Sequence, residues 1–272
     1  MKKLSFKLLF SLVVVSALMY SCGGNQETEE VTQEVTQEEN STEEVTYMLP
    51  SPLQIVSLFK NAGLEYVGGL TNVKENVNTY NSKTAQKLNF GVYAADMAYS
   101  ITNNQTQEAI NYLNALRQMS EKIWMTDVFN SAGVAERLEK NVGNQDSLTS
   151  IMADMQMEMD EYLEENGASY TGSIIFAGEW IESMYLALNS NKNSSEKIIN
   201  RLSEQSIIIG NIIGAVKQAN EDKEFDDIIA SLEKIEASFK SVNESSTSTL
   251  TTEQVNGLKV MVTEIRNNLI KG

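Results

Sequence analysis

The chain has 272 residues, among them 37 acidic and 21 basic side chains, one cysteine and no histidine, and its formal net charge is −16. The lack of histidine excludes Ser-His-Asp and Cys-His catalysis, histidine metal sites and histidine pH switches. The excess of acidic residues argues against nucleic acid or a bare anionic membrane surface as a partner.

The first 22 residues have the layout of a bacterial export signal. Lysines stand at the start, an apolar stretch follows at residues 8–20, and the small residue Ser21 directly precedes Cys22. The apolar stretch is shorter than the roughly 20 residues that a transmembrane helix needs. The sequence therefore predicts a cleaved signal peptide at residues 1–21 rather than a permanent membrane span.

Over residues 1–30 this layout resembles the signal peptides of bacterial lipoproteins. The resemblance implies that Cys22 becomes the mature N-terminus and the lipid attachment site, with ordinary secretion as the alternative. Several acyl chains, as in that family, make a stable anchor, since one chain alone binds a membrane only marginally. An acylated Cys22 also leaves the chain without thiolate chemistry or disulfides.

The segment at residues 22–46 reads as an acidic, disordered tether that follows the lipidated cysteine. Beyond Cys22 it carries eight glutamates and no lysine or arginine, so it cannot bury enough apolar surface to order itself. Fully extended, it reaches at most about 80 Å. The acidic stretch also resembles the export signals of surface lipoproteins of Bacteroidota, which implies an outer-membrane protein displayed on the surface, with a periplasm-facing orientation as the alternative.

Residues 47–272 predict one all-α domain. The only prolines are Pro50 and Pro52, and 3.6-residue periodicity recurs without a convincing alternating strand pattern. Ser51, Pro52 and Gln54 together form a helix start signal. The expected fold is a bundle of about eight to nine helices. These helices are predicted at residues 52–62, 83–102, 106–123, 127–140, 145–166, 169–189, 195–219, 223–242 and 252–270, with an irregular segment at 64–81.

The apolar patterns divide the helices into central and covering ones. Segments 145–166, 223–242 and 252–270 each carry one apolar stripe, which is typical of helices that cover a core. Segments 90–101, 174–188 and 207–216 are apolar nearly all round, which predicts buried central helices. The central segments also contain small residues, and a glycine inside a helix indicates close contact with a neighbouring helix.

Two central segments share a pattern of spacing. Gly91, Tyr93 and Met97 in the first match Gly178, Trp180 and Met184 in the second. This predicts either an old duplication of a helical hairpin or a chance match, because the helical period alone generates such similarities.

The polar residues on the central helices are the candidate site, because a carboxylate there must be paired, hydrogen-bonded or directed into a cleft. The candidate ligand-binding residues are Tyr93, Asp96, Tyr99, Glu179, Trp180 and Glu182. Three interpretations stay open. The carboxylates pair with basic residues or cap helix ends, they form an acidic pocket for a cation, a sugar or a peptide, or two of them act as acid and base in glycoside hydrolysis.

No cofactor or metal site is predicted. The methionines at positions 152, 155, 157 and 159 suit Cu(I), but three of them lie on an apolar stripe, which favours a role as core filler. A glycine-rich phosphate loop, a dinucleotide fingerprint and a calcium loop are lacking where a fold would support them.

These observations predict a lipid-anchored cell-envelope protein that is a non-catalytic binding or envelope-interaction module. The alternative is a carboxylate-dependent hydrolase that acts on polysaccharide or peptidoglycan. The expected partners are the membrane, through the lipid anchor, and a protein or glycan that the sequence does not identify.

Overall fold

The described part of the chain consists of α-helices and one short 3-10 helix, without a β-strand. The computed structural model describes residues 49–131, 133–141, 143–244 and 249–272, so Cys22, the predicted signal peptide and the tether lie outside the described residues. The prediction of an all-α multi-helix bundle is confirmed. Of the helices that the structure describes, none is long and apolar enough to cross a membrane. In chain order the elements are α1 (Pro52–Asn61), the 3-10 helix (Lys74–Asn78), α2 (Lys83–Thr102), α3 (Thr106–Lys122), α4 (Thr126–Ser131), α5 (Val134–Lys140), α6 (Gln145–Glu165), α7 (Ser169–Asn189), α8 (Glu196–Gln218), α9 (Asp226–Ala237), α10 (Lys240–Asn243) and α11 (Thr252–Leu269).

The first and last helices begin at capping boxes. The hydroxyl of Ser51 accepts a hydrogen bond from the Gln54 amide at 3.3 Å, and the Gln54 side chain accepts one from the Ser51 amide at 2.8 Å. Thr251 and Gln254 make the same exchange at 3.2 and 2.8 Å. Each exchange satisfies two N–H groups that a helix start leaves without partners. The start predicted at Pro52 is confirmed.

Two segments predicted as single helices are each broken in two. The segment 127–140 divides into α4 and α5 around Gly133, whose φ of +54° lies in the left-handed region. Glycine adopts that region without a Cβ penalty, so the helix ends there. The segment 223–242 divides into α9 and α10 at Ser238 and Phe239, and Phe239 remains buried at the break. The local apolar pattern continues through both breaks, which is why it predicted unbroken helices.

The centre of the bundle is the pair formed by α2 and α7, which are buried on nearly all sides as predicted. Two glycines allow their backbones to meet. A Cβ atom on Gly91 would lie 2.0 Å from the carbonyl oxygen of Ile175, and a Cβ atom on Gly178 would lie 2.0 Å from that of Leu88. No side chain fits at either position, so close contact is the reason for both glycines.

Helix α8, predicted as a third central helix, lies further out. It packs on α7 and α9, and the side chain of Ile207 is 73 % exposed. Gly210 is not at a close helix contact either, because its nearest neighbour beyond its own helix is the end of a flexible side chain, Glu236, at 3.6 Å. The apolar residues on all sides of α8 therefore do not make it a buried central helix.

The remaining helices cover the central pair. Helix α3 packs along α2, α11 packs along α7, and α1 and α6 contact both central helices. The stripe of α6 is buried at Met152, Met155 and Met159, while Met157 is exposed, as the core-filler interpretation expects. This arrangement leaves the acidic residues of α2 and α7 in two different environments.

Candidate functional site

Two of the candidate acids lie in a sealed polar cluster. We use the name Asp96 cluster for Asn72, Asp96, Glu182 and Arg266, all of which are buried. Arg266 on α11 donates to both oxygens of Glu182 on α7, from Nε at 2.8 Å and from Nη2 at 3.0 Å. This bidentate geometry is the strong form of a carboxylate–guanidinium pair. Arg266 also donates to the Leu70 carbonyl oxygen at 3.1 Å.

The surroundings of Asp96 in this cluster favour its protonated form by raising its pKa. Burial raises the pKa of Asp96 well above its usual value, and the negative charge of Glu182 raises it further. Its Oδ2 accepts a hydrogen bond from the Asn72 amide at 2.9 Å. Its Oδ1 is buried and has no hydrogen-bond partner among the described residues. Burial also raises the pKa of Glu182, but the positive charge of Arg266 opposes that rise.

The candidate tyrosines on α2 hold the irregular segment between α1 and α2. Tyr93 donates to the carbonyl oxygen of Val73 at 3.0 Å, and Tyr99 donates to that of Glu65 at 3.1 Å. Burial raises the pKa of Tyr99 to about 12, so its hydroxyl stays neutral. Each tyrosine thus ties a backbone carbonyl group of this segment to α2.

The hydrogen bond of Trp180 lies outside the Asp96 cluster. Its ring is fully buried and its Nε1 donates to Gln205 Oε1 of α8 at 3.0 Å. The hydrogen bond satisfies the indole N–H at the contact of α7 with α8. Trp180 therefore packs two helices together and lines neither of the cavities described below.

Glu179 lies at a cavity of about 390 Å³, which we call the Glu179 cavity. The Glu179 side chain is only 2 % exposed, and among the described residues its Oε1 has no hydrogen-bond partner. Glu179 and Glu182 stand three residues apart on α7, a spacing that predicts one shared face, yet Glu182 pairs with Arg266 and Glu179 lines the cavity. The cavity is lined by Leu49, Pro50, Ser51, Gln54, Gln156, Met159, Asp160, Ser169, Gly172, Ser173, Ile175, Phe176 and Glu179.

The Glu179 cavity contains a second carboxyl group, that of Asp160 on α6. Burial raises the pKa of Glu179 well above its usual value, and the charge of Asp160 raises it further. Asp160 is exposed as a residue, yet partial burial of its carboxyl group raises its pKa, against the effect of Gln156, whose Nε2 donates to Asp160 Oδ1 at 3.0 Å. A carboxyl group with a raised pKa at a cavity is a functional-site signal with a physical basis.

A smaller apolar pocket of about 10 Å³ adjoins the Glu179 cavity through the shared residues Gln156, Met159 and Glu179. Its other walls are apolar. They are formed by Pro52, Phe90, Ala94, Val128, Phe129, Met152 and Met155. The Glu179 carboxyl group therefore lies between a partly polar cavity and an apolar interior.

Sequence reasoning missed Arg266 and Asp160. Arg266 follows Val262 by one helical turn, so it falls on the buried stripe of α11, and a charged residue on such a stripe requires a buried partner. Asp160 follows Gln156 by one turn, at the edge of the α6 stripe. For both residues, the position on the helix was the only available indication. The residue that each one faces lies elsewhere in the chain, so the local pattern does not identify it.

Within the residues that the structure describes, no group of three or more Cys, Asp or Glu side chains could hold a metal ion. Comparisons with protein-family models, with curated proteins and with solved structures gave no match to this chain.

Proposed function

We propose that this chain is a lipid-anchored protein of the bacterial cell envelope whose helical domain binds a small ligand in the Glu179 cavity without catalysing a reaction. The observation that carries the proposal is the carboxyl group of Glu179, which is buried, has no hydrogen-bond partner at Oε1 and faces a cavity. A volume of about 390 Å³ lies in the range of small-molecule sites.

A buried polar atom without a partner costs about 1–3 kcal/mol, so native proteins keep few of them. Glu182 is also buried, yet Arg266 satisfies both of its oxygens. Glu179 differs because, among the described residues, no lysine or arginine lines its cavity. A ligand that donates hydrogen bonds to Glu179 would supply the missing partner, and this favours a binding site over a purely structural role.

Binding is favoured over the hydrolase alternative by the distribution of the acids. Asp96 and Glu182 are sealed in the Asp96 cluster, so neither reaches a substrate. Glycoside hydrolysis needs two carboxyl groups placed across a cleft that admits a sugar chain. Glu179 and Asp160 remain as the acids at a cavity, and its size suits a small molecule. Release of sugars from peptidoglycan by the wild-type chain, but not by Glu179→Gln, would favour the hydrolase instead.

The test of binding uses the full chain purified under native conditions and analysed by native mass spectrometry. We expect a small molecule to co-purify with the wild type and to be lost from Ser173→Leu, whose larger side chain fills the cavity. Ser173 is half-buried on α7, so the substitution leaves the helix contacts largely in place.

The matched control is Glu161→Gln, an exposed acid on α6 that does not line the cavity. This variant should retain the small molecule. A ligand retained equally by Ser173→Leu, or no ligand with any variant and none taken up from a cell extract, would contradict the proposal.

The anchor has a separate test in Cys22→Ala. We expect the wild type in the membrane fraction with a lipid-modified N-terminus, and the variant released in soluble form. Protease added to intact cells should remove the domain if it is displayed on the surface, whereas protection until lysis would place it in the periplasm. An unchanged membrane fraction and an unmodified N-terminus would contradict lipidation.

A further inference from the structure

The charged groups at the Glu179 cavity indicate which sign of charge its ligand carries. Glu179 and Asp160 both line the cavity, and none of the lining residues is lysine or arginine. A carboxylate or phosphate ligand would face two acids with no basic group to neutralise it. The cavity therefore disfavours anions.

The polar groups of the lining are too few to recognise a neutral sugar. The Ser51 hydroxyl oxygen and Gln54 Oε1 already accept hydrogen bonds in the capping box, and Gln156 Nε2 donates to Asp160. Among the described residues of the lining, Ser169 and Ser173 supply the remaining hydroxyl groups and Phe176 supplies the one aromatic ring. A sugar presents many hydroxyl groups that would stay unsatisfied in such a site.

The rest of the lining suits an apolar body. Leu49, Pro50, Met159, Ile175 and Phe176 form apolar walls around the acids. Methionine adapts its shape to a ligand, and the face of an aromatic ring attracts a cation.

On these grounds we propose that the Glu179 cavity takes an organic cation, a primary or secondary alkylammonium ion with a compact apolar body. Its ammonium group donates hydrogen bonds to Glu179 and is attracted by Asp160, while its apolar part fills the cavity. This inference rests on the proposed function and names the chemical class of the ligand.

Binding then releases a proton. In the free protein burial and the charge of Asp160 raise the pKa of Glu179 and so favour its protonated form. When the ammonium ion binds, the O–H bond of Glu179 breaks and its proton passes to the solvent, while the ligand keeps all of its own protons. Loss of this proton lowers the net charge of the protein site by one, and the positive charge of the bound ammonium ion compensates for it.

Asp160 on α6 is the charged group that faces Glu179. The other elements at the two cavities contribute uncharged side chains. These are Pro52 and Gln54 of α1, Phe90 and Ala94 of α2, and Val128 and Phe129 of α4. Glu179 is therefore the group expected to lose the proton.

The experiment is a calorimetric titration of the full chain with cyclohexylammonium, cyclohexanol and cyclohexanecarboxylate, which share one apolar body. We expect cyclohexylammonium to bind and the other two to bind at least about tenfold more weakly, since they lack the charge-assisted hydrogen bond. Its affinity should rise by up to about tenfold per pH unit while Glu179 is protonated in the free protein, and then level off. Titration in two buffers of different ionisation enthalpy counts the released proton.

Three variants locate the effect. Glu179→Gln should weaken cyclohexylammonium binding by about tenfold or more and abolish both the pH slope and the proton release. Asp160→Asn should weaken binding but keep the slope, and Glu161→Gln should change neither. A pH slope that survives in Glu179→Gln would overturn the assignment to Glu179.

The outcomes separate the ligand class from the binding function. Equal or tighter binding of cyclohexanol or cyclohexanecarboxylate would overturn the cationic class, while the cavity would remain a ligand site. If no probe binds but native mass spectrometry finds a ligand that Ser173→Leu loses, the class is likewise wrong. If no probe binds and no such ligand exists, the proposed function itself fails.

Discussion

Gly91 and Gly178 occupy matching places in the contact between α2 and α7. Each lies against a carbonyl oxygen of the other helix, that of Ile175 for Gly91 and that of Leu88 for Gly178. Ile175 stands three residues before Gly178, and Leu88 stands three residues before Gly91. The contact is therefore the same when read from either helix, which is the relationship that a duplicated hairpin predicts.

We predict that Gly91→Ala and Gly178→Ala each destabilise the protein. Alanine is the better helix former by about 1 kcal/mol, but its Cβ would lie 2.0 Å from a backbone oxygen that cannot rotate away. Overpacking of this kind costs about 1–3 kcal/mol or more. Chemical denaturation measures the change in the free energy of unfolding.

Gly257→Ala is the matched control for these two variants. Gly257 lies in α11, and a Cβ atom there would meet nothing within 4 Å. The same substitution should therefore stabilise the protein by about 0.5–1 kcal/mol. If Gly91→Ala and Gly178→Ala gave a similar gain, the close contact between the central helices would be refuted.

Arg266→Met should destabilise the protein by about 3–5 kcal/mol, because it leaves the fully buried Glu182 without its partner. Replacement of both residues, by Met and Gln respectively, should recover part of the loss. The control is Lys192→Met, which removes a half-exposed ion pair with Glu65 and should cost less than about 1 kcal/mol. Similar losses of unfolding free energy for the two single variants in urea would show that the buried pair contributes no more to stability than the exposed pair.

The raised pKa of Asp96 predicts an asymmetry between two isosteric substitutions. Asn at position 96 keeps an oxygen for the Asn72 amide and an N–H donor for Glu182, so Asp96→Asn should change stability by less than about 1 kcal/mol. Glu182→Gln loses a charge that Arg266 requires and should cost clearly more. An equal or larger cost for Asp96→Asn, measured by thermal and urea unfolding at neutral pH, would mean that Asp96 is ionised.

Glu179 makes the folded state less stable as the pH rises. Its folded pKa lies above the unfolded value of about 4.3, so its proton stabilises the fold most fully at low pH. That contribution is lost as the pH rises through the folded pKa. We expect Glu179→Gln to flatten the pH dependence of the unfolding free energy and to raise that free energy at neutral pH.

Glu161→Gln serves as the control for this pH series, because Glu161 is exposed on α6. Its curve should follow that of the wild type. Parallel curves for the wild type and Glu179→Gln would contradict the raised pKa of Glu179.

Most helix positions were predictable because helix signals are local. The bounds predicted for α2 and α7, residues 83–102 and 169–189, agree with the structure, since capping residues and apolar periodicity act within a few residues. The break at Gly133 was not predicted, because the apolar pattern continues through it. The exposure of Ile207 was not predicted either, since it depends on what packs against α8.

The candidate site was predictable only in part. Glu179 was selected correctly as a buried acid on an apolar helix, but its sequence neighbourhood does not tell whether a distant residue neutralises it. Glu182, three residues later, finds Arg266, whereas Glu179 finds none. Three steps of about 100° leave their directions on α7 only about 60° apart, so the choice of partner is decided by tertiary contacts.

The hydrogen bonds of Arg266 also have a consequence for the order of folding. They reach Glu182, 84 residues earlier, and Leu70, 196 residues earlier. The charge of Glu182 has no permanent partner until α11 has packed against α7. Contacts of such long sequence separation form slowly, because the loop must close before they contribute. We therefore expect the interior to pack late in folding. Truncation within α11 should leave a chain that is more sensitive to proteases.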